Sequence, residues 1–292
     1  MQNLPNDLRE PMDMPDPLFP IKLFETEITE HGYTLFFHHW HKEIELLYIT
    51  SGKATFECNS SSFEAHPGDI VVFNSNDIHY GVSMSGNLTY LALISDLALL
   101  HGHTADVSET KYIAPILQNK IYFRNHIGKD SGISDCMAMM ASELRERAFG
   151  FELAVKSYLY RIFTHLLRHH MSSIQNESEH YAKVMCLQQF EPIFHYIEQH
   201  YMEQITVDEL AALAGLSRSH FSRRFKWLTA KTITEYINQI RVNKAEYLLR
   251  NTPLTVSEIA LTTGFSDIYY FSRMFKKLKK VTPSQIRSHS QG

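Results

Sequence analysis

The 292-residue chain has few cysteines and no long apolar run. No apolar stretch approaches the roughly 20 residues that a membrane-spanning helix needs. The three cysteines, Cys58, Cys136 and Cys186, are odd in number and scattered, so they form no metal-binding or disulfide pattern. The N-terminus lacks the basic start and the apolar segment of a secretory signal. We therefore expect a cytoplasmic protein without a membrane partner.

Acidic residues are missing from two stretches near the C-terminus, between Ser217 and Thr234 and between Ile268 and Gly292. From residue 188 onward, 14 lysines and arginines stand against 9 aspartates and glutamates, a net charge of +5. The first 187 residues carry 14 against 23, a net charge of −9. A basic C-terminal third behind an acidic front indicates that one end of the chain meets a polyanion.

The length of the chain predicts two domains. The first 20 residues hold five of the ten prolines, so we expect an extended N-terminal arm. Residues 21–170 begin with short segments rich in β-branched and aromatic residues, which predict a small β-sandwich or barrel. Two helical segments follow from about residue 132. We interpret the polar residues 171–187 as a linker and residues 188–292 as a second domain.

A group of histidines in the β-rich part could form a binding site. The pattern is His39-x-His41-x-x-x-Glu45, with His79 further along the chain. Alternate residues of a strand share a face, so His39 and His41 could converge on one ion. The spacing resembles the first motif of the cupin superfamily, and the resemblance implies that these four positions are the ligands in metal-binding cupins.

The second cupin motif is degraded, because Asn74 and Asn76 stand where a proline and a glycine are usual. We therefore expect the group to line a polar pocket, with no metal and no other cofactor. By default the pocket would hold a small-molecule effector. Its expected residues are His39, His41, Glu45, His79, Trp40, Tyr48 and Tyr80.

The C-terminal part contains one pattern twice, TVDELAALAGLSRSHFSRRFK from Thr206 and TVSEIALTTGFSDIYYFSRMFK from Thr255. A repeat at fixed spacing indicates one supersecondary unit used twice. Each copy begins with a Thr-x-x-Glu capping box and a short helix. A glycine, Gly215 or Gly264, then supplies a left-handed turn. A serine, Ser217 or Ser266, follows as the expected N-cap of a second helix. Helix, turn and capped helix form the helix-turn-helix plan.

The second helix of each copy has one apolar face and one small, polar, basic face. An absence of carboxylates suits a helix that approaches phosphate. Serine permits close approach to the groove floor, arginine can bind guanine with two hydrogen bonds, and the lysines suit phosphates. The outward residues are Ser219, Ser222, Arg223 and Lys226 in the first copy and Tyr269, Ser272, Arg273, Lys276 and Lys277 in the second.

A helix from about Thr234 to Arg250 is predicted between the copies. If it holds them rigidly, the two outward helices enter successive major grooves, which lie about 34 Å apart on one side of the duplex.

Three motifs closely resemble the AraC/XylS family of bacterial transcription regulators. They are I-A-x-x-x-G-F-S-D from Ile259, Y-F-S-R-x-F-K-K from Tyr270 and T-P-S-x-x-R from Thr282. The resemblance covers about residues 190–287 and, more weakly, the cupin-like front. By motif position it implies base-reading roles for Ser219, Ser222, Arg223, Ile268, Tyr269, Ser272 and Arg273. Ala230 and Lys280 stand where the family usually has glycine, and Ile286 stands where it commonly has tyrosine. These departures affect the loop geometry and not the face that would read the bases.

The resemblance implies two helix-turn-helix units and an effector-binding, dimerising N-terminal domain. We therefore expect a sequence-specific activator that binds promoter DNA as a homodimer and contacts RNA polymerase, with a sugar as the leading class of effector. An apolar stripe in the second helical segment could pack on its own barrel or on a second chain, and a paired DNA reader favours dimerisation. The stripe consists of Leu159, Ile162, Phe163, Leu166 and Leu167.

Two other functions remain for comparison. A cupin-type metalloenzyme with an accessory DNA-binding domain would contain stoichiometric metal, but apart from the histidines we find no catalytic constellation and expect no enzyme. A general nucleic-acid packager is disfavoured because the outward faces of the two copies differ, Ser219 against Tyr269.

Overall fold

A computed structural model describes residue 10 and residues 12–59, 61–100, 106–174, 177–229 and 231–289, with only the backbone for 173, 174, 177–184, 187, 188 and 289. The chain folds into a β-rich domain with two covering helices, followed by an all-helical domain, so the predicted two-domain fold is confirmed. Half of the predicted arm, residues 1–9 and 11, lies outside the described residues, and so does Ala230. Within the described ranges, no helix is both long enough and apolar enough to span a membrane.

The β-rich domain is built from antiparallel strands. They are β1 (Ile21–Ile28), β2 (Thr34–His39), β3 (Ile44–Ser51), β4 (Ala54–Cys58), β5 (Ser61–Ala65), β6 (Asp69–Phe73), β7 (His79–Ser83), β8 (Leu88–Ser95), β9 (Ile121–Phe123), β10 (His126–Lys129) and β11 (Met171–Ile174). One sheet has the order β1-β8-β3-β6-β10 and the other β2-β7-β4-β5, while β9 and β11 form a separate pair. Side chains such as Leu47, Phe56 and Phe73 are buried together between the two larger sheets.

Helices cover the outer face of the five-stranded sheet. The helical elements of this domain are a 3-10 turn (Leu97–Leu100), a π-helical turn (Glu109–Ile113), α1 (Ala114–Leu117), α2 (Ser131–Glu146) and α3 (Phe151–His169). Apolar residues of α2 and α3 pack on sheet residues such as Leu46 and Val72. Leu159, Ile162 and Phe163 of the predicted stripe belong to this core, and so does Leu166, with Leu167 packed against it. The interpretation of the stripe as a dimer contact is therefore wrong, because these side chains are buried in their own domain.

The second domain contains seven helices in the described residues. They are α4 (Glu177–His200), α5 (Val207–Leu213), α6 (Arg218–Thr229), α7 (Ile233–Asn251), α8 (Val256–Thr262), α9 (Ile268–Lys279) and α10 (Pro283–His289). Part of the segment predicted as a linker is therefore helical. Pro192 lies inside α4. Buried Phe190 and Ile193 on either side pack into the domain core and hold the helix across the proline.

The connecting helix α7 belongs to both repeat units. Near its start, Ile233 and Ile237 are buried with the helices of the first unit. Nearer its end, Val242 and Leu249 are buried with the helices of the second unit. Because one continuous helix contributes to both cores, it fixes the two units relative to each other.

Candidate nucleic-acid interface and effector pocket

The capping boxes predicted for both repeats are present. The Thr206 N–H donates to a Glu209 carboxylate oxygen at 2.8 Å, and the Glu209 N–H donates to the Thr206 hydroxyl at 3.3 Å. Thr255 and Glu258 make the same pair of bonds at 2.7 and 3.2 Å. Each cap satisfies N–H groups that the helix itself leaves unpaired, an effect of about 1 kcal/mol.

The turn of each unit also follows the sequence prediction. Gly215 and Gly264 have φ of +67° and +88°, in the left-handed region that glycine adopts without strain. α6 begins directly after Ser217, as expected. α9 is capped by Asp267, whose side chain accepts a hydrogen bond from the Tyr270 N–H at 2.8 Å. The choice of Ser266 was wrong, because the one-residue insertion in the second copy shifts the cap by one position.

The outward residues predicted on α6 and α9 lie on accessible faces. These nine residues and Ile268 are all described, and they are exposed except for Ser272, which is half-buried. Tyr269 is 85% exposed, and the Arg273 guanidinium lies 5.5 Å from the ring centroid of Tyr270. On the opposite faces, Phe221 and Phe271 are fully buried. The two faces of each helix are therefore separated as predicted, and contact with DNA stays a prediction.

Three histidines and one glutamate meet inside the β-rich domain. β2 ends at His39 and β7 begins at His79, and these two residues are paired across the sheet. His41 follows β2, and Glu45 lies in β3 of the opposite sheet. All four side chains are buried, and one donor atom from each lies within 4.8 Å of the others. We call these four residues the histidine cluster; its role as an effector site stays a prediction.

Each imidazole of the cluster is oriented by a backbone carbonyl. The Nδ1–carbonyl pairs are His39–Phe37 at 2.7 Å, His41–Glu43 at 3.0 Å and His79–Asp77 at 2.8 Å. A carbonyl oxygen can only accept a hydrogen bond, so Nδ1 of each ring carries the proton. In a neutral ring the lone pair is then on Nε2.

The Nε2 atoms lie beside carboxylates. Those of His41 and His79 are each 3.3 Å from Glu45 Oε2. His79 Nε2 nevertheless has no hydrogen-bond partner among the residues the structure describes. His39 Nε2 lies 3.0 Å from a carboxylate oxygen of Glu10, in the described part of the N-terminal arm.

Burial and neighbouring groups set the protonation of the cluster. Burial alone would raise the pKa of Glu45, but the adjacent imidazoles of His41 and His79 outweigh it and lower that pKa. Burial lowers the pKa of His79 to about 4. Burial also acts to lower the pKa of His41, but the Glu45 carboxylate outweighs it and raises that pKa. At neutral pH the cluster therefore contains a carboxylate and at least one neutral imidazole.

A cavity of about 230 Å³ adjoins the cluster. His39 and Glu45 form part of its wall, and Glu10 and Met12 of the arm also line it. The remaining lining residues are mainly apolar and come from β1, from β2 with the preceding Tyr33, and from β8. A mostly apolar cavity with a few convergent polar groups has the character of a small-molecule site.

The three aromatic residues predicted for the pocket lie elsewhere, so that part of the prediction is wrong. Tyr48 faces the helical layer on the outer side of its sheet. Trp40 is buried among core residues of the helical domain, and the Tyr80 hydroxyl lies 3.3 Å from Lys279 Nζ at the same domain boundary. Trp40 alternates with His39 and His41, and Tyr80 follows His79, so both side chains point out of the sandwich.

Phenylalanine rings surround the cluster instead. The Phe73 ring stacks on His79 with centroids 4.1 Å apart, and Phe36 lies 5.5 Å from both His39 and His79. Neither phenylalanine was among the residues predicted for the pocket.

A buried polar network joins the two domains, and sequence reasoning missed it. Lys279, at the end of α9, is fully buried and its ammonium lies 2.7 Å from Glu246 of α7. It also donates to the hydroxyl of Thr34, which in turn donates to Glu246 at 2.8 Å. Burial alone would lower the pKa of Lys279, but Glu246 outweighs it and raises that pKa. The sequence did indicate that Lys279 is buried, because it lies four residues after Phe275 and therefore on the apolar face of α9.

Two further ion pairs cross the same boundary. Lys231, just before α7, pairs with Glu57 of β4, and its ammonium lies 3.3 Å from His38 Nε2. Arg250, near the end of α7, pairs with Glu30. Burial lowers the pKa of His38 to about 4, so His38 is neutral at pH 7 and Lys231 supplies the positive charge beside Glu57. The β-rich domain is thus anchored to both ends of the helix that joins the repeat units.

Comparison with known proteins gives the same division of the chain. The family described as "AraC-like ligand binding domain" matches residues 24–163, and the one described as "Helix-turn-helix domain" matches residues 210–289. The uncharacterized HTH-type transcriptional regulator YdeC of Bacillus subtilis (strain 168) is 25% identical over 272 residues, which cover 90% of each chain.

Two further proteins are similar over different lengths. The HTH-type transcriptional activator Btr of the same strain is 33% identical over 122 residues, covering 42% of this chain and 21% of its own. The structure of ToxT from Vibrio cholerae has 16% identity and a TM-score of 0.47, covering 93% of this chain and 98% of that one.

The family matches cover the β-rich domain with its cavity and then the two helix-turn-helix units, in that order. The chain is accordingly a transcription regulator with an N-terminal ligand-binding domain and a C-terminal DNA-binding domain, and it belongs to the AraC/XylS family.

Proposed function

We propose that this regulator reads a specific promoter sequence with both repeat units and activates transcription when an effector occupies the β-rich domain. The observation that carries the proposal is the pair of exposed, basic faces on α6 and α9. Neither helix contains an acidic residue, and α7 contributes to both cores. Because α7 connects them, the two faces could contact successive major grooves of a single duplex.

The outward side chains divide into two roles. Ser222 and Arg223 of α6, and Ser272 and Arg273 of α9, are placed to read base edges, because short hydroxyl side chains allow close approach beside a guanidinium. Lys277 is placed for phosphate, which gives affinity without sequence information. Ser219 and Tyr269 at the matching outward position differ most, so the two half-sites should differ in sequence.

The cavity beside the histidine cluster is the proposed effector site. Its few convergent polar groups and its volume of about 230 Å³ suit a small metabolite, with a sugar or sugar derivative as the leading class. Trp40 and Tyr80, which directly follow His39 and His79 in the chain, contact the helical domain. A ligand that shifts these two histidines would therefore change the domain boundary.

Oligomeric state and partners complete the proposal. We infer a homodimer, since apolar side chains remain exposed at the α2–α3 turn: Leu153 is 75% exposed and Phe149 is also open to solvent. An activator of this kind would contact RNA polymerase and act in the cytoplasm. No catalytic role is assigned to the chain.

Selection of bound duplexes from a random pool tests this function. The full-length protein should enrich a bipartite motif with two different halves about one helical turn apart. A reporter gene placed behind the selected site should then be expressed more strongly when the protein is present. Enrichment of no motif would refute sequence-specific reading, and repression of the reporter would refute the activator role.

A further inference from the structure

We propose that Trp227, near the end of α6, packs its indole ring against the sugar-phosphate backbone of the bound duplex. This contact rests on the proposed function, in which α6 and α9 lie on DNA. It adds a residue that lies outside the outward set predicted from the repeats. It also gives the two units different chemistry at one matching position, an aromatic ring in the first unit and a lysine in the second.

Trp227 is exposed, unlike the other large apolar side chains of α6. The side chain is 55% exposed, whereas Phe221, Phe225 and Leu228 are buried in the core of the first unit. Indole combines a large apolar ring with one N–H donor, which is why tryptophan is frequent where proteins meet their partners. The ring of Trp227 therefore belongs to the outer surface of the helix and is available for a contact there.

The position of Trp227 on α6 places it beside the outward face. At about 100° and 1.5 Å per residue, it lies about 40° around the helix from Arg223 and about 6 Å further along the axis. Ser219 is about 12 Å away along the axis, a distance close to the width of the major groove. Residues near the start of a reading helix contact base edges. When Ser219 and Arg223 do so, Trp227 reaches the groove wall, which consists of sugars and phosphates.

The second repeat unit shows what this position does. Trp227 aligns with Lys277, 50 positions later, in the same register that aligns Arg223 with Arg273. Lys277 is exposed and is the proposed phosphate contact of α9. An indole in the same place has no charge, but its N–H can donate to a phosphate oxygen while its ring covers the apolar face of a deoxyribose. Such a contact adds affinity without releasing a counterion.

The surroundings of Trp227 favour DNA over a protein partner. Ser222, Arg223 and Lys226 lie within about a turn and a half of it and are exposed, and α6 contains no acidic residue. A duplex neutralises these positive charges with the same backbone that the ring would cover. A protein partner would need carboxylates matched to both cations in addition to an apolar surface for the ring.

Salt dependence separates an indole contact from a lysine contact. Full-length protein is titrated onto the selected duplex at several salt concentrations, and binding is followed by fluorescence anisotropy. Trp227→Ala should weaken binding at least about fivefold, the lower end of what aromatic stacking on a nucleotide contributes. The slope of the logarithm of the binding constant against the logarithm of salt concentration should not change. Trp227→Lys should make that slope steeper by about one.

A matched variant and two outcomes make this test decisive. Leu261→Ala removes a comparably exposed apolar side chain from α8 and should bind as the wild type does. Unchanged affinity in Trp227→Ala, or a loss that Leu261→Ala reproduces, would overturn the proposal. An unchanged slope in Trp227→Lys would also overturn it, because a lysine at a phosphate must release a counterion.

Fluorine NMR observes the ring itself. The chain has two tryptophans, so protein labelled with 5-fluorotryptophan should give two resonances, and Trp227→Phe assigns them. Saturating amounts of either the selected or a random duplex should shift the Trp227 resonance, because backbone contacts do not depend on sequence. A resonance that does not move, or that moves only with the selected duplex, would contradict a backbone contact.

The reporter gene identifies the competing explanation. If Trp227→Ala binds every duplex as the wild type does but no longer activates the reporter, the ring contacts a protein and the proposal is wrong. Each of these failures is distinguishable from failure of the proposed function, because the wild-type protein would still enrich a bipartite motif.

Discussion

The Lys279→Met substitution measures how firmly the β-rich domain is held on the DNA-binding domain. Methionine keeps most of the buried stem but removes the ammonium that lies 2.7 Å from Glu246. Removing one partner of a buried ion pair costs about 3–5 kcal/mol, because the remaining charge is left without compensation. Glu246 keeps Arg250 at 3.0 Å, so we expect the lower end, about 3 kcal/mol.

Tryptophan fluorescence can follow this loss at the boundary itself. The chain has two tryptophans, and Trp227 is 55% exposed whereas Trp40 is buried among helical-domain residues. In a Trp227→Phe background, Trp40 emission reports the boundary during a urea titration. With an m-value of about 3 kcal/mol/M, a loss of about 3 kcal/mol lowers the midpoint of the Trp40 transition by roughly 1 M.

The neighbouring lysine supplies a matched control. Lys280 is exposed, and its ammonium donates to the Lys277 carbonyl of the same helix. Lys280→Met should change the free energy of unfolding by less than about 0.5 kcal/mol, the usual range for surface substitutions, which moves the midpoint by less than roughly 0.2 M. If Lys279→Met has the same midpoint as Lys280→Met, the buried network does not hold the domains together and the reasoning is wrong.

Three further substitutions test other parts of the structure. Arg223→Ala should cost about 1–3 kcal/mol at particular base pairs, measured by fluorescence anisotropy on selected and altered duplexes; an equal loss on random DNA would contradict base reading. Lys277→Ala should weaken binding to all duplexes alike. It should also reduce the slope of the logarithm of the binding constant against the logarithm of salt concentration by about one, and an unchanged slope would exclude a phosphate contact. Gly81→Ala places a Cβ 2.9 Å from Phe36 and 3.0 Å from Phe56, and it should destabilise by about 1–3 kcal/mol in thermal unfolding. An unchanged midpoint would show that the interior of the β-rich domain is looser than described.

Local signals carried most of what the sequence could predict. A capping box such as Thr206 with Glu209 spans three residues, so its chemistry is complete within a short window. The same holds for the left-handed turn at Gly215 and for the alternation that brings His39 toward His41. Ser266 and Asp267 are adjacent and both are favourable N-cap residues, so the local sequence could not show which of them caps α9.

Contacts between distant residues were beyond the reach of these patterns. Lys279 and Thr34 are 245 positions apart, and no periodicity links them. Trp40 shows a related difficulty. The sequence pattern predicts that an aromatic residue on a strand is buried, but it does not tell whether the opposite sheet or another domain covers the ring, because both bury the same apolar area. The sequence therefore found the histidine cluster but placed the wrong aromatic residues around it.

Hydroxyl-radical footprinting of the wild-type protein on its selected duplex tests the central claim most directly, namely that both repeats read one DNA. We predict two protected patches on the same face of the duplex, about 34 Å apart. Arg223→Ala should weaken one patch and Arg273→Ala the other. A single patch, or two patches that both variants weaken equally, would contradict separate readings by α6 and α9.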